Sequence, residues 1–218
     1  MTTHGEYRPY GNDGKLTSIR NPGFRQLCLL CLCGLLIAGC SVNTAKKQGH
    51  AVHRAVIGGL TDVPVGNVIA QYMDGQAKEL AKIAETQRID DGIIVTLNNN
   101  LLFDFNSAQL KTGSRKALRK LAEIFKKYDK TNLTVAGYTD NLGPSDYKIH
   151  ISERRAKAVA DSLIGLGIAS ERIRIIGFGF EAPMTSNDTE ESREKNRRIE
   201  IHVAPDEALR KDDQAKQG

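Results

Sequence analysis

The feature that most constrains this chain is the regular change of apolar spacing between residues 91 and 205. Four short segments have the apolar, β-branched or alternating character of strands, centred on residues 93–97, 133–136, 173–176 and 199–203. Two segments between them have the spacing of amphipathic helices, at residues 118–128 and 151–166. The predicted order is β-α-β-α-β-β. Because both helices must bury an apolar stripe, the pattern favours an α+β two-layer sandwich with both helices on one face of a single sheet.

The amino-terminal 39 residues have the layout of a secretory signal peptide. A polar segment with four basic and two acidic residues precedes an apolar run of thirteen residues, 27–39. This run is too short to cross a bilayer, which takes about 20 apolar residues, and it ends in small residues. The stretch from Leu36 to Ser41 resembles a bacterial lipobox, with Ile37 where leucine is usual. The resemblance implies that Cys40 is acylated and begins the mature chain.

The positions of the cysteines indicate that the mature chain has no disulfide. All four lie at or before residue 40, three of them inside the apolar run. Cleavage before Cys40 leaves a single cysteine, so the mature chain can form no intramolecular disulfide. Two alternatives to the signal peptide stay open: an uncleaved anchor helix, and a metal cluster at Cys28, Cys31 and Cys33. A zinc site takes about four ligands, and the leucine-rich flanks offer none.

The predicted organisation has four parts: a signal peptide over 1–39, a lipidated tether over 40–90, the folded domain over 91–205 and a disordered tail over 206–218. Within the tether, residues 56–72 are apolar with three glycines and resemble a glycine-zipper segment, with an irregular linker as the alternative. Residues 73–90 have good helix formers and charges at helical spacing, which predicts a short solvated helix. The charged composition of the last thirteen residues predicts disorder.

The residues show no pattern typical of catalysis. No Ser-His-Asp or Cys-His arrangement is apparent, and the histidines have no metal-ligand spacing. Gly177-Phe-Gly179 lacks the third glycine of a dinucleotide-binding loop. The net charge of +5 falls to +3 when residues 1–39 are removed, and the excess forms no basic stripe that would indicate nucleic-acid binding. We therefore expect no enzyme, no cofactor, no metal and no nucleic-acid partner.

Four sequence blocks carry a family resemblance. They are Leu102–Ala108, Gly137–Ala156, Gly177–Arg193 and Asn196–Glu200. Together they resemble the OmpA-like peptidoglycan-binding domain, whose β-α-β-α-β-β sandwich agrees with the order derived from periodicity. The resemblance implies non-covalent binding of the peptidoglycan stem peptide through diaminopimelate. By motif, the family's ligand-binding aspartate and arginine match Asp140 and Arg155.

The chemistry of the ligand fits this pair. One end of diaminopimelate carries an ammonium and a carboxylate on one carbon, so recognition takes an acceptor and a donor close together. Asp140 can accept the ammonium, and the Arg155 guanidinium can hold the carboxylate in two parallel hydrogen bonds. Gly137 and Gly143 are expected to let the backbone approach the ligand. The alternative for the pair is an exposed ion pair between the two side chains, worth at most about 1 kcal/mol.

Further ligand contacts are predicted around this pair. We expect main-chain N–H donors at Thr139 and Asn141 and secondary contacts from Phe105 and Asn106. Asn196, Arg197 and Arg198 begin the last predicted strand and are candidate contacts, with capping and ion pairs to Glu200 or the loop as the alternative. Of the three, Arg198 is assigned to the predicted site. Tyr138 stands where the family usually has histidine, beside the predicted site rather than in it.

These observations predict an outer-membrane lipoprotein, anchored by Cys40, whose periplasmic domain binds peptidoglycan. Ser41 after the cysteine favours the outer over the inner membrane. The alternative is a flagellar-stator-type or envelope-assembly subunit that uses the same domain. A stator subunit requires a spanning helix with an intramembrane carboxylate, and residues 27–39 contain none.

Overall fold

The alternating strand and helix patterns produce one five-stranded sheet with helices packed against it. The computed structural model describes residues 66–104 and 106–217. The strands are β1 (Glu85–Ile89), β2 (Gly92–Asn98), β3 (Thr131–Tyr138), β4 (Ile173–Gly179) and β5 (Arg198–Pro205). The helices are α1 (Asn67–Leu80), α2 (Asn99–Leu102), α3 (Ser114–Lys127), α4 (Ser145–Gly165), α5 (Glu190–Asn196) and α6 (Glu207–Ala215), with a 3₁₀ turn at Ser170–Arg172. The predicted α+β class is confirmed.

The sheet is mixed, with strand order β1-β2-β5-β3-β4. The last strand, β5, lies at the centre and pairs antiparallel with both β2 and β3. Strands β3 and β4 pair in parallel, so they need a crossover, and α4 supplies it. As a result β2, β3 and β4 all end at the edge of the sheet where β5 begins.

The predicted apolar stripes form one core on one face of the sheet. Ile199, Ile201 and Val203 of β5 are buried and share a cluster with Leu118, Leu121 and Phe125 of α3 and with Val159 and Leu163 of α4. Helix α4 ends before Gly167, whose φ of +98° is the left-handed conformation that glycine favours after a helix. The two helices therefore cover the same face, as their periodicity predicts.

The domain begins earlier than the predicted boundary at residue 91. The helix predicted over 73–90 is instead α1 followed by β1, and Met73 and Leu80 of α1 are fully buried in the core. Strand β1 forms a hairpin with β2 around Asp90 and Asp91. Because β1 is an edge strand with exposed polar residues, its charges resemble those of a solvated helix. Residues 67–72 of the glycine-containing segment belong to α1, and residues 56–65 lie outside the described residues.

The disorder predicted for residues 206–218 is wrong over most of that range, because α6 forms there. Asp206 accepts a hydrogen bond from the Leu209 N–H at 2.8 Å, which caps the helix, and Leu209 is buried in the core. Asp213 accepts hydrogen bonds from the N–H groups of Val68 and Ile69 at 3.0 and 3.2 Å. Through Asp213, α6 caps the first turn of α1. The charged composition of the segment gave no sign that Leu209 and Asp213 are buried.

The amino-terminal predictions, the signal peptide over 1–39 and acylation of Cys40, lie outside the described residues. Within the described ranges, no helix is both long enough and apolar enough to cross a membrane.

Candidate functional site

A cavity of about 460 Å³ lies at the edge of the sheet where β2 and β3 end and β5 begins. Its size falls within the range of small-ligand sites, roughly 300–1,000 Å³. The lining comes from α2 and the loop after it, the loop after β3, one face of α4, and the α5–β5 junction. The charged and polar lining residues are Asn99, Asn100, Asp104, Asn106, Thr139, Asp140, Tyr147, Lys148, Arg155, Glu190 and Arg197.

Asp140 is held by main-chain and side-chain donors directly after β3. Its Oδ1 accepts the Leu142 N–H at 3.1 Å, and its Oδ2 accepts from Arg197 Nη1 at 2.7 Å. The preceding Thr139 is fixed by its own N–H, which donates to the Gly179 carbonyl at 2.7 Å. The carboxylate is therefore oriented by the turn that follows the strand.

The main-chain donors predicted at Thr139 and Asn141 are not available to a ligand. The Thr139 N–H is used in the bond to Gly179, and the Asn141 N–H donates to Asn187 Oδ1 at 3.3 Å. Thr139 lines the cavity nevertheless. The prediction of free donors was wrong because the loop satisfies its own backbone groups.

Arg155 reaches the cavity from about three turns inside α4. It is 8% exposed, its Nε donates to the Ser107 carbonyl at 2.8 Å, and its guanidinium carbon lies 5.6 Å from the centre of the Phe103 ring. Burial lowers the pKa of the guanidinium, which stays charged at neutral pH. In the part of the chain that the structure describes, no carboxylate forms an ion pair with it. The alternative of an Asp140–Arg155 ion pair is therefore wrong.

Helix α4 lies close to the sheet because Gly137 has no side chain. A Cβ at this position would lie 2.1 Å from the Ser152 carbonyl oxygen, one turn before Arg155. The expectation that Gly137 makes room for the ligand is corrected, since it makes room for α4. Gly143, with φ +92°, serves the turn between β3 and α4.

Arg197 lines the cavity, although the site prediction assigned its neighbour Arg198 to the ligand. It bridges Asp140 Oδ2 at 2.7 Å and Glu190 Oε1 at 2.6 Å. Burial alone would lower its pKa, but the hydrogen bonds from its guanidinium to the two carboxylates raise it. The alternation of side chains along a strand would have singled out Arg197. It is two positions before the inward-facing Ile199, so it faces the same side of the sheet, the side that carries the helices.

Arg198 faces the opposite side of the sheet and does not line this cavity. Its Nε donates to Glu200 Oε1 at 2.6 Å, and its guanidinium carbon lies 3.9 Å from the centre of the Tyr138 ring. Glu200 also contacts His202 at 2.8 Å. Burial by itself would raise the pKa of Glu200, but the hydrogen bond to His202 and the charge of Arg198 hold it at about 2. The prediction of Arg198 as a ligand contact is corrected to its alternative, an ion pair with Glu200.

The loop after α2 is only partly described. Asn106 lines the cavity, has φ +52° and accepts a hydrogen bond from the Tyr147 hydroxyl. Phe105 lies outside the described residues, so its predicted contact stays a prediction. Over residues 66–104 and 106–217, no group of three His, Cys, Asp or Glu side chains is arranged to hold a metal ion.

Comparison with known sequences gives consistent matches over this region. The sequence pattern of the family described as OmpA family matches residues 102–197. Probable lipoprotein YiaD of Escherichia coli (strain K12) is 38% identical over 172 residues, which cover 77% of both chains. Peptidoglycan-binding protein ArfA of Mycobacterium tuberculosis is 39% identical over 164 residues, which cover 74% of this chain but only 50% of ArfA.

Among solved structures, the periplasmic domain of Helicobacter pylori MotB has a similar fold. It superposes with a TM-score of 0.53 at 28% identity, covering 58% of this chain and 84% of that domain.

Proposed function

Because the chain belongs to the OmpA family, we propose that it is an outer-membrane lipoprotein that binds peptidoglycan non-covalently through diaminopimelate of the stem peptide. The name of the relative ArfA supports peptidoglycan as the ligand, and the name of YiaD supports a lipid anchor. The proposed role is to tether the outer membrane to the cell wall, with the domain in the periplasm. Binding breaks no bond, so no enzymatic activity is proposed.

The observation that carries the proposal is a buried guanidinium in a ligand-sized cavity, with no carboxylate partner among the residues that the structure describes. Arg155 presents a cation there, and Asp140 presents an oriented carboxylate that lines the same cavity. A ligand with an ammonium and a carboxylate on one carbon complements both groups. An unpaired buried charge is unfavourable without a ligand, which is why this cation indicates binding rather than stability.

A single stem-peptide contact is weak, and the cell wall presents many. Copies held at one membrane surface act at a high effective concentration against a lattice of repeated stem peptides. The lipid anchor proposed at Cys40 supplies this arrangement. The segment between Cys40 and α1 is proposed as the tether that joins the anchor to the domain.

The alternative is a flagellar-stator-type or envelope-assembly subunit. The fold shared with the MotB periplasmic domain favours it, and under this alternative the chain would bind the wall with the same cavity. The membrane attachment separates the two. Metabolic labelling with a clickable fatty acid marks the wild type but not Cys40→Ser if the chain is a lipoprotein, and marks neither if it is a stator-type subunit.

A pull-down with purified sacculi tests the binding itself. We expect the wild-type protein to sediment with sacculi and Asp140→Ala to remain in the supernatant, because the ammonium loses its acceptor. Asp161→Ala is the matched control, since Asp161 is an exposed carboxylate on the same α4 helix that pairs only with Lys157 among the described contacts. Equal sedimentation of Asp140→Ala and Asp161→Ala would place binding elsewhere.

A further inference from the structure

The cavity contains a second cation that the proposed zwitterion does not use. Lys148 lies in the first turn of α4, is 5% exposed and lines the cavity. Its Nζ donates to the Asn141 carbonyl at 2.9 Å and lies 4.0 Å from the centre of the Phe180 ring. In the described ranges it forms no ion pair with a carboxylate. An ammonium has three donors, and a buried lysine is almost always paired with an acidic group.

The position of Lys148 separates it from Arg155 along one face of the cavity. The two residues are seven positions apart on α4, which is about two turns, so they lie on the same helix face with their Cα atoms ~10 Å apart along the axis. The third cation, Arg197, is already shared by Asp140 and Glu190. Lys148 and Arg155 are thus two cations attached to the helix two turns apart, and in the described residues neither has a carboxylate at ion-pair distance.

We propose that Lys148 binds a second carboxylate of the ligand, on the residue next to diaminopimelate in the same stem peptide. The spacing of ~10 Å equals the length of about three extended residues, which a diaminopimelate side chain and its neighbour can span. The inference rests on the proposed function and adds a specificity to it: the site distinguishes a stem peptide with a free carboxylate at that residue from one with a carboxamide. A carboxamide has no negative charge to compensate the buried ammonium.

Calorimetric titration with two synthetic stem peptides tests this. The peptides differ only at the γ-linked glutamate before diaminopimelate, which carries either a free α-carboxylate or its carboxamide. We expect the wild-type protein to bind the carboxylate peptide about tenfold or more tightly, as for loss of one charge-assisted hydrogen bond. Lys148→Met should bind both peptides with the affinity that the wild type has for the carboxamide. Lys148→Arg, which keeps the charge, should keep the preference.

Each remaining outcome decides one of the two proposals. Equal affinity of the wild type for both peptides overturns the role of Lys148 and leaves the proposed function standing. No binding of either peptide overturns the proposed function. If Lys148→Met still prefers the carboxylate peptide, the inference is also overturned. The control is Arg154→Met, a change at an exposed neighbour of Arg155, which should retain the preference for the carboxylate peptide. Thermal melts show whether Lys148→Met is folded, and the wild-type comparison of the two peptides needs no variant.

Discussion

Arg197 and Arg198 are neighbours in the chain, yet they belong to two charged clusters of different character. Arg198, Glu200 and His202 lie on the sheet face away from the helices, and each charge there has a close partner. Arg197 lines the cavity, where it pairs with Asp140 and Glu190. Over residues 66–104 and 106–217, the other two cations of the cavity, Arg155 and Lys148, have no carboxylate partner.

The difference shows what pairing reveals about function. A buried cluster whose charges compensate one another contributes to the native structure, because removing one member leaves another buried and unpaired. Within the described residues, this cavity holds two cations with no carboxylate at ion-pair distance, and it therefore has capacity for an anionic group from outside. Changes in the first cluster should therefore alter stability, and changes in the second should alter ligand affinity.

The largest expected effect is on the paired cluster. Glu200→Gln leaves the Arg198 guanidinium buried without a countercharge, and breaking a buried pair in this way costs about 3–5 kcal/mol of unfolding free energy. Urea denaturation of the variant measures it, with Glu153→Gln on the exposed face of α4 as the control. Peptidoglycan affinity should be unchanged. A loss of affinity without loss of stability would contradict the division between the clusters.

The contribution of Glu200 in this cluster should also make the free energy of unfolding depend on pH. The pKa of Glu200 is about 2 in the folded chain, against an ordinary value of 4.5. Its stabilisation is complete above pH 4.5, where both folded and unfolded chains are ionised, and is lost as the pH falls towards 2. The difference amounts to about 3 kcal/mol. The gap in unfolding free energy between the wild type and Glu200→Gln should therefore narrow over this window, and a constant gap would count against the assigned pKa.

A smaller change in free energy is expected for ligand affinity when Arg155 in the cavity is replaced. Arg155→Lys keeps the charge but cannot form two parallel hydrogen bonds to a carboxylate. The loss is about 1.5–3 kcal/mol, or roughly ten- to a hundredfold in affinity, measured by calorimetry with a diaminopimelate-containing stem peptide. Arg154→Lys, which points roughly 100° away around the helix, should bind as the wild type does. If the control variant loses affinity and Arg155→Lys does not, the assignment of the arginine is wrong.

The smallest effect is expected for Arg197→Gln. Its partner Glu190 is largely exposed, and that ion pair contributes about 1 kcal/mol or less to stability. Its other partner Asp140 is buried but keeps the Leu142 N–H, so the total loss should stay below that of the fully buried Arg198–Glu200 pair. Comparison of its thermal melt with that of Arg198→Gln tests the contrast between neighbours. Equal destabilisation of the two variants would show that the clusters do not differ as described.

The spacing of apolar residues was sufficient to predict the central strands and helices of the domain. The main error at the site, the choice of Arg198, comes from the alternation of side chains between the two faces of a strand. The strands and helices between residues 92 and 203 follow apolar spacing because a single core buries them. Asp140 and Arg155 follow from the family motif and line one cavity. Arg198 was preferred to Arg197 although a shift of one residue reverses the face of a strand. Lys148 carried no sequence signal, since only its burial distinguishes it from other lysines on helices.

The errors at the domain ends have another physical origin. Strand β1 is polar because it lies at an edge, and α6 is charged because one face is exposed, so neither has the apolar pattern of a core element. Each is fixed by a few contacts distant in sequence, such as those of Asp213 with the start of α1. The signal peptide, the acylation of Cys40 and the Phe105 contact stay predictions.

The hydrogen bonds from the first turn of α1 to Asp213 have a mechanical consequence. A pull on the chain before Gly66 acts first on the Val68 and Ile69 hydrogen bonds to Asp213 and then on α1, which contributes no residue to the cavity. Unwinding the 14 residues of α1 from ~1.5 to ~3.4 Å per residue releases roughly 25 Å of extra length. Tension at this end therefore acts on α1 and on the core that Met73 and Leu80 help to fill, before it reaches any element that lines the cavity.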